Sequence, residues 1–174
     1  DAILLAADKI VFEAGRTTLT LVLAGSRSQR VLNKHYDQTP AYGGLRHLTQ
    51  DVIGTKVDWC IHKGWLRVQY QDGLPLIYHT DEGFERVKNL WVDELIQRFA
   101  EWVAANEPRR AWPYLEPFHR DIKHRLLDRI VADNRRDLVP VLRVWLQGDV
   151  RKVRTAIHNA LQRLGVEPMH HPND

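Results

Sequence analysis

The spacing of apolar residues predicts two short helices at the start of the chain. Residues 3–13 carry apolar side chains at helical intervals, and Gly15 provides a natural stop. Thr17 or Thr18 can cap a second helix. The segment that follows is rich in Ser, Asn and Gly, so it predicts loop and turn with at most a short helical piece near residues 29–33.

A third helix and a pair of strands come next. Thr49 caps a helix whose apolar spacing continues to Gly64. Two alternating, β-rich runs then flank Asp72-Gly73, the strongest hairpin signal that a short sequence offers. Thr80 caps a further amphipathic helix. Three helices followed by a two-stranded hairpin are the layout of a winged-helix domain. Some winged helices bind nucleic acid, and others serve as protein-interaction modules.

The C-terminal half is predicted to be helical. Prolines and arginines at residues 106–117 predict a linker. An amphipathic helix over 118–133 then precedes a helix pair that turns at Gly148-Asp149. A proline early in the first helix of this pair, an Asp at the cap and Val-Arg in the second helix resemble a HEAT-type repeat. One such repeat cannot bury its own apolar face, so we expect the pair to pack on neighbouring helices.

These patterns together predict a mainly α fold: a winged helix (three helices plus a β-hairpin wing) followed by an α-helical, HEAT-like C-terminal part. We assign residues 1–88 to the winged helix, 89–166 to the helical region and 167–174 to a flexible tail. Hydrophobic residues make up 44% of the 174-residue chain, which is enough to form a core without cross-links.

Composition narrows the class of protein. The single cysteine, Cys60, excludes an intrachain disulfide and a multi-cysteine zinc site, and its apolar neighbours predict a buried small hydrophobe. No apolar run is long enough to span a membrane and no signal peptide is visible, so we expect a cytoplasmic protein without a membrane partner. Asp1 rather than Met stands first, which is compatible with a missing N-terminal segment.

The charge pattern points weakly to an anionic partner. The formal net charge is only +3. The segment from Arg16 to Lys63, however, contains seven basic and three acidic residues, a surplus of four positive charges. A local surplus is what an electrostatic footprint for nucleic acid looks like, although a mixed-charge solvated surface gives the same count.

Four short patterns occur in order between Leu19 and Lys88. They are Gly25-Ser26 followed by Gln29-Arg30, then Tyr42-Gly43, then Cys60-Ile61-His62-Lys63-Gly64-Trp65-Leu66, then Tyr78, Thr80 and Gly83. In this order they resemble the RQC domain, the winged helix of RecQ-family helicases. No helicase motor, Walker motif or four-cysteine zinc module is present in the chain. It therefore resembles the standalone RQC-minor group of bacterial DNA-binding proteins.

The resemblance implies DNA as the partner and a set of contact residues. The turn after the second helix would hold a backbone phosphate through hydroxyls, backbone N–H groups and guanidinium groups, although a solvent-exposed capping turn is the plain alternative. Ala24 stands where relatives have an arginine, which removes one expected contact. The third helix would touch the DNA backbone, and the wing would approach duplex ends. The predicted DNA-binding residues are Ser26, Arg27, Ser28, Gln29, Arg30, Lys34, Thr49, Gln50, Lys56 and Tyr70.

The wing has two interpretations. Tyr70, with Leu74 and Pro75, can stack on a terminal base pair, as the wing tip does in RecQ relatives. Alternatively, Tyr70 pairs across the hairpin with Ile77 or Tyr78.

The sequence gives no case for an enzyme. His119 and His124 are five residues apart, which misses the helical spacing for metal ligands, and no Ser-His-Asp group stands out. We therefore expect no metal, no cofactor and no catalytic residue. The favoured function is a non-enzymatic DNA-binding protein for duplex ends, forks or junctions, an accessory to repair or recombination. The alternatives are a sequence-specific transcriptional regulator and a protein-interaction adaptor, whose C-terminal interface would use Trp91, Trp102, Trp112 and Trp145.

Overall fold

The computed structural model describes residues 1–166, so the tail assigned to 167–174 lies outside the described residues. The chain separates into two compact units, Asp1–Leu90 and a second that begins at Trp91. The division falls inside a long helix, and the two units are described in turn. The fold is mainly helical with one small antiparallel sheet, which confirms the predicted fold class at that level.

The first unit contains the N-terminal helices and the hairpin. Its elements are α1 (Ala2–Ile10), α2 (Arg16–Leu23), α3 (Gln29–Leu32), α4 (Gln50–His62), β1 (Leu66–Gln71), β2 (Leu74–His79) and the start of α5 (Asp81–Ala104). Helix α2 packs on α1 and α4, while the hairpin contacts α1, α2 and α4. The short α3 lies where a short helical piece was predicted.

The α1–α2 boundary differs from the prediction. Helix α1 ends at Ile10, and α2 begins after Gly15 without a side-chain cap, so neither Thr17 nor Thr18 is the N-cap. The cause is the hairpin: the Ile77 amide donates to the Ala14 carbonyl at 3.0 Å. A Cβ on Gly15 would lie 2.4 Å from the Pro75 carbonyl oxygen, so only glycine fits. A contact distant in sequence therefore sets this boundary.

Helix α4 forms as predicted. The Thr49 hydroxyl accepts a hydrogen bond from the Val52 amide at 3.4 Å and caps the helix. Ile53, Val57 and Cys60 form its buried stripe. The prediction that Cys60 is a buried small hydrophobe is confirmed, and burial raises the pKa of its thiol.

The hairpin turns at Asp72-Gly73, as predicted. Both residues have positive φ, 51° and 79°, which is typical of a type I′ turn. A two-residue turn at this point fixes every cross-strand pair, and Tyr70 is opposite Pro75. The alternative that pairs Tyr70 with Ile77 or Tyr78 is therefore wrong: their partners are Val68 and Arg67.

The Thr80-x-x-Gly83 pattern has a structural cause. The Thr80 hydroxyl accepts a hydrogen bond from the Gly83 amide at 3.1 Å and donates one to the Gly64 carbonyl. It thus caps α5 and ties its start to the end of α4. A Cβ on Gly83 would lie 1.8 Å from the Trp65 carbonyl oxygen, so the position has room only for hydrogen.

The second unit is helical throughout its described part. It holds the rest of α5, then α6 (Ala111–Leu115), α7 (Arg120–Ala132), α8 (Val139–Gly148) and α9 (Arg151–Arg163), with α9 packed on α7 and α8. The predicted linker at 106–117 is wrong, because α6 lies there and buries Ala111 and Leu115. Pro113 is tolerated since the first turn of a helix leaves its N–H groups without intrahelical partners.

The tryptophans of the second unit mostly fill its core. Trp91 and Trp145 are fully buried and Trp102 nearly so, while Trp112 is half-buried. The suggestion that these four side chains furnish a protein interface is therefore wrong for the three buried ones. Inside this core the Trp145 indole donates to Asp149 at 2.7 Å.

Candidate functional site

The turn between α2 and α3 is a helix-ending motif. Gly25 has φ 70°, its amide donates to the Val22 carbonyl, and the Ser26 amide donates to the Leu21 carbonyl at 2.9 Å. This pair of bonds is the Schellman arrangement, which satisfies the last carbonyl groups of α2. The amides of Gly25 and Ser26 are therefore occupied, and the prediction that backbone N–H groups of the turn hold a phosphate is wrong for these two.

A neighbouring loop holds the turn in place. The Tyr42 hydroxyl lies 2.9 Å from the Gly25 carbonyl oxygen and 3.2 Å from that of Ser26. The Gly43 amide donates to the Val22 carbonyl at 2.9 Å, and a Cβ on Gly25 would lie 3.2 Å from the Gly43 Cα. Two of the four sequence patterns, Gly25-Ser26 and Tyr42-Gly43, are thus in direct contact.

The two predicted hydroxyl ligands differ in their availability. Ser26 Oγ accepts a hydrogen bond from the Ser28 amide at 3.2 Å and retains its own proton for donation. Ser28 Oγ is enclosed and has no hydrogen-bond partner in the described chain. Because this oxygen is shielded, the prediction of a phosphate contact through the Ser28 hydroxyl is not compatible with the observed conformation.

The charged residues of the turn line a groove. Arg27, Gln29, Arg30 and Lys34 are exposed. Arg30 and Lys34 border an open groove of about 600 Å³, and its other lining residues include the hairpin residues Val68, Leu74, Pro75 and Leu76. The groove therefore has a basic side, formed by Arg30 and Lys34, and an apolar side, formed by the hairpin. We call it the Arg30 groove.

One carboxylate lies in the Arg30 groove. Glu13 accepts a hydrogen bond from the Tyr36 hydroxyl at 3.0 Å, and its Oε2 is 3.9 Å from Lys34 Nζ. Burial and the Glu13 carboxylate raise the pKa of Tyr36 to about 12, so this hydroxyl stays protonated at neutral pH. The Lys34–Glu13 pair is exposed and long, so it leaves Lys34 free to contact another anion.

The remaining predicted residues occupy other surfaces. Thr49, the N-cap of α4, is exposed, as are Gln50 and Lys56 on the helix. Tyr70 is 73% exposed at the end of the hairpin, beside Leu74, which is 63% exposed. Within residues 1–166, no hydrogen bond or ion pair connects these side chains to the α2–α3 turn. The predicted site is therefore spread over three surfaces of one unit.

An exposed aromatic cluster escaped the sequence analysis. Trp59 on α4 is 49% exposed, and its ring meets Trp65 edge-on at 5.0 Å. Lys63 Nζ is 5.5 Å from the Trp59 ring, and Arg86 Cζ is 4.1 Å from the Trp65 ring. A helical projection could have found Trp59, because it is offset by about 100° from the buried Cys60.

The described residues contain no group of three or more His, Cys, Asp or Glu side chains that could hold a metal ion. Over the same residues, no helix combines the length and apolar character needed to cross a membrane. No family model, curated protein or solved structure matches the chain.

Proposed function

We propose that this chain is a non-enzymatic DNA-binding protein that recognises duplex ends, forks or junctions through phosphate contacts. In this proposal residues 1–88 act as an RQC-like winged helix, and the protein serves repair or recombination as an accessory. Phosphate contacts fix the position of a protein on DNA without reading sequence, so structure preference replaces sequence preference.

The arrangement of the first unit supports the winged-helix assignment. Helices α2, α3 and α4 precede the hairpin, and β1 follows α4 and packs on it. The contact between Gly25 and Gly43 brings two patterns of the RQC resemblance together, and both residues have positive φ. The packing of these two glycines gives a physical reason for both patterns to occur in one chain.

The Arg30 groove carries the functional proposal. Arg30 and Lys34 are two exposed cations beside a groove that the hairpin also lines, and Tyr70 lies at the hairpin end. A duplex bound by its phosphates at Arg30 and Lys34 would bring its terminal base pair to the hairpin. This geometry favours ends and forks over internal duplex.

We further propose a HEAT-like second unit that offers a surface for a protein partner. Pro140 occupies the first turn of α8, and Asp149 lies between α8 and α9 and accepts a hydrogen bond from the buried Lys123 at 2.9 Å. With the tryptophans mostly in the core, the exposed faces of the C-terminal helices would supply that surface.

A titration series tests the function. Fluorescently labelled fork, blunt duplex and duplexes of random sequence are titrated with the full chain at increasing salt. We expect the fork to bind most tightly and the random duplexes to bind alike. Binding to a single duplex sequence would contradict the proposal in favour of a transcriptional regulator, and absence of binding at low salt would contradict it in favour of an adaptor.

A further inference from the structure

The exposed cluster on α4 has the features of a ligand platform. We call Trp59, Lys63, Trp65 and Arg86 the Trp59 patch. Two rings lie between two cations: Arg86 lies over Trp65, Trp65 meets Trp59 edge-on, and Lys63 lies over Trp59. No residue of this patch lines the Arg30 groove.

The core of the unit does not require Trp59. The stripe that packs α4 into the fold consists of Ile53, Val57 and Cys60, all buried. Trp59 lies off this stripe with about half its surface open to water, and Val52, two turns earlier, is also exposed. An exposed indole that its neighbours hold in one orientation is typical of a binding surface.

The charges around the Trp59 patch favour an anionic ligand. Lys56 and Lys63 lie three residues before and four residues after Trp59, which places both on its side of the helix. The nearest carboxylate in sequence, Asp58, is held by Arg16. Glu82 accepts a hydrogen bond from the Trp65 indole at 3.0 Å. The cations at Lys56, Lys63 and Arg86 therefore outnumber the available carboxylates.

We propose that the Trp59 patch binds an unpaired DNA strand, with a base stacked on Trp59 and its flanking phosphates at Lys56 and Lys63. Aromatic platforms flanked by cations are the common means of binding single strands without sequence preference. This inference rests on the proposed DNA-binding function and extends it. The protein then holds duplex phosphates at the Arg30 groove and a single-stranded tail at α4, which explains a preference for forks over blunt ends.

The test compares a blunt duplex with the same duplex carrying an unpaired oligo(dT) tail, using anisotropy with the full chain. Stacking on one aromatic ring changes affinity by roughly 5- to 150-fold. We expect the tail to increase wild-type affinity within this range. The gain should disappear in Trp59→Ala and partly return in Trp59→Phe, while blunt-duplex affinity stays unchanged. Phe12→Ala, which removes an exposed ring outside the patch, should retain the full gain.

Two further measurements make the outcome unambiguous. Oligo(dT) alone should quench wild-type tryptophan fluorescence and leave Trp59→Ala unaffected. Lys63→Gln removes an exposed charge and its contact with the Trp59 ring but no buried group, so it serves if Trp59→Ala fails to fold, and it should reduce the salt dependence of the tail gain. The patch proposal is overturned, and the proposed function stands, if the blunt duplex binds but the tail gives no gain in affinity. The same holds if the tail gives an equal gain in wild type and Trp59→Ala. If no DNA binds, the proposed function fails and this inference with it.

Discussion

Arg16 and Asp58 form a two-pronged ion pair between the first residue of α2 and the exposed side of α4. Arg16 Nε lies 2.5 Å from Asp58 Oδ1, and Arg16 Nη2 lies 2.7 Å from Asp58 Oδ2. Hydrogen bonding to Arg16 lowers the pKa of Asp58. Gly54 lies beneath the guanidinium, where a Cβ would be 2.7 Å from Nη2. Arg16 also lines the Arg30 groove, so one cation of that groove is already neutralised within the protein.

Releasing Arg16 should strengthen DNA binding. In Asp58→Asn the Arg16 charge is free beside the Arg30 groove, so we expect higher affinity for every duplex and a salt slope steeper by about 0.9. The loss of stability should stay below about 1 kcal/mol, because both side chains are about half exposed. Anisotropy at several salt concentrations and thermal melting measure the two effects. Asp128→Asn, an exposed carboxylate of the second unit, is the control, and an unchanged slope in Asp58→Asn would contradict the prediction.

Arg30 should contribute one phosphate contact. If about four phosphates are neutralised, log affinity should fall against log salt with a slope near −3.6, from roughly 0.9 per contact. Arg30→Ala should reduce that slope by about 0.9 and weaken all duplex sequences alike. The exposed Arg163 of α9 provides a matched control, Arg163→Ala. Wild-type affinity and slope in a folded Arg30→Ala protein would refute the RQC-like mode of contact.

Tyr70 should act only where a base pair is open to stacking. Tyr70→Ala should weaken binding to forks and blunt ends by about 1–3 kcal/mol, the range for one stacked base. A duplex whose ends are both closed by loops should lose nothing. Tyr70→Phe keeps the ring and should bind all three substrates like wild type. Equal losses on open and closed duplexes would show that the hairpin end contacts DNA in another way.

His79 should make the first unit less stable in acid. Both ring nitrogens are buried without a hydrogen-bond partner within the described chain, and Asp8 lies 3.9 Å away. Burial lowers the pKa of His79 from 6.5, and Asp8 opposes that shift only in part. The unfolded chain therefore takes up a proton before the folded one does, so stability is lost as pH falls below about 6.5.

Melting temperatures at about pH 7.5 and 5.5 test the role of His79. The decrease in melting temperature on acidification should be smaller in His79→Gln than in wild type, because the titrating imidazole is absent. His47 is exposed, and His47→Gln should retain the full decrease. The explanation fails if His79→Gln responds to acid as wild type does.

The two glycines at the junction of α4 and α5 should differ in their tolerance of alanine. Gly83→Ala should destabilise the first unit by about 3 kcal/mol or more, because the methyl group would meet the Trp65 carbonyl. A Cβ at Gly64 would meet nothing within 4 Å, but Gly64 has φ 74°. Gly64→Ala should therefore destabilise the first unit by only about 1–2 kcal/mol. Chemical denaturation measures both. Similar costs for the two variants would show that the α5 start shifts to make room.

Local chemistry accounts for the elements that the sequence predicted well. Thr49 and Thr80 cap helices, and Asp72-Gly73 turns the hairpin, because each feature depends on a few adjacent residues. The features that escaped depend on packing. Arg16 and Asp58 are 42 residues apart, and charge counting alone cannot pair them. The shielding of Ser28 Oγ and the exposure of Trp59 likewise depend on how neighbouring segments surround each side chain.

The burial of Cys60 makes the protein suited to site-specific labelling. It is the only cysteine of the chain, it is 4% exposed, and burial raises the pKa of its thiol. Maleimide reagents attack the thiolate of accessible cysteines, so Cys60 should react slowly. A substitution such as Gln69→Cys on the exposed side of β1 then provides a unique attachment point for a fluorophore. Energy transfer from such a label to dye-marked DNA would measure how closely the hairpin approaches a strand end.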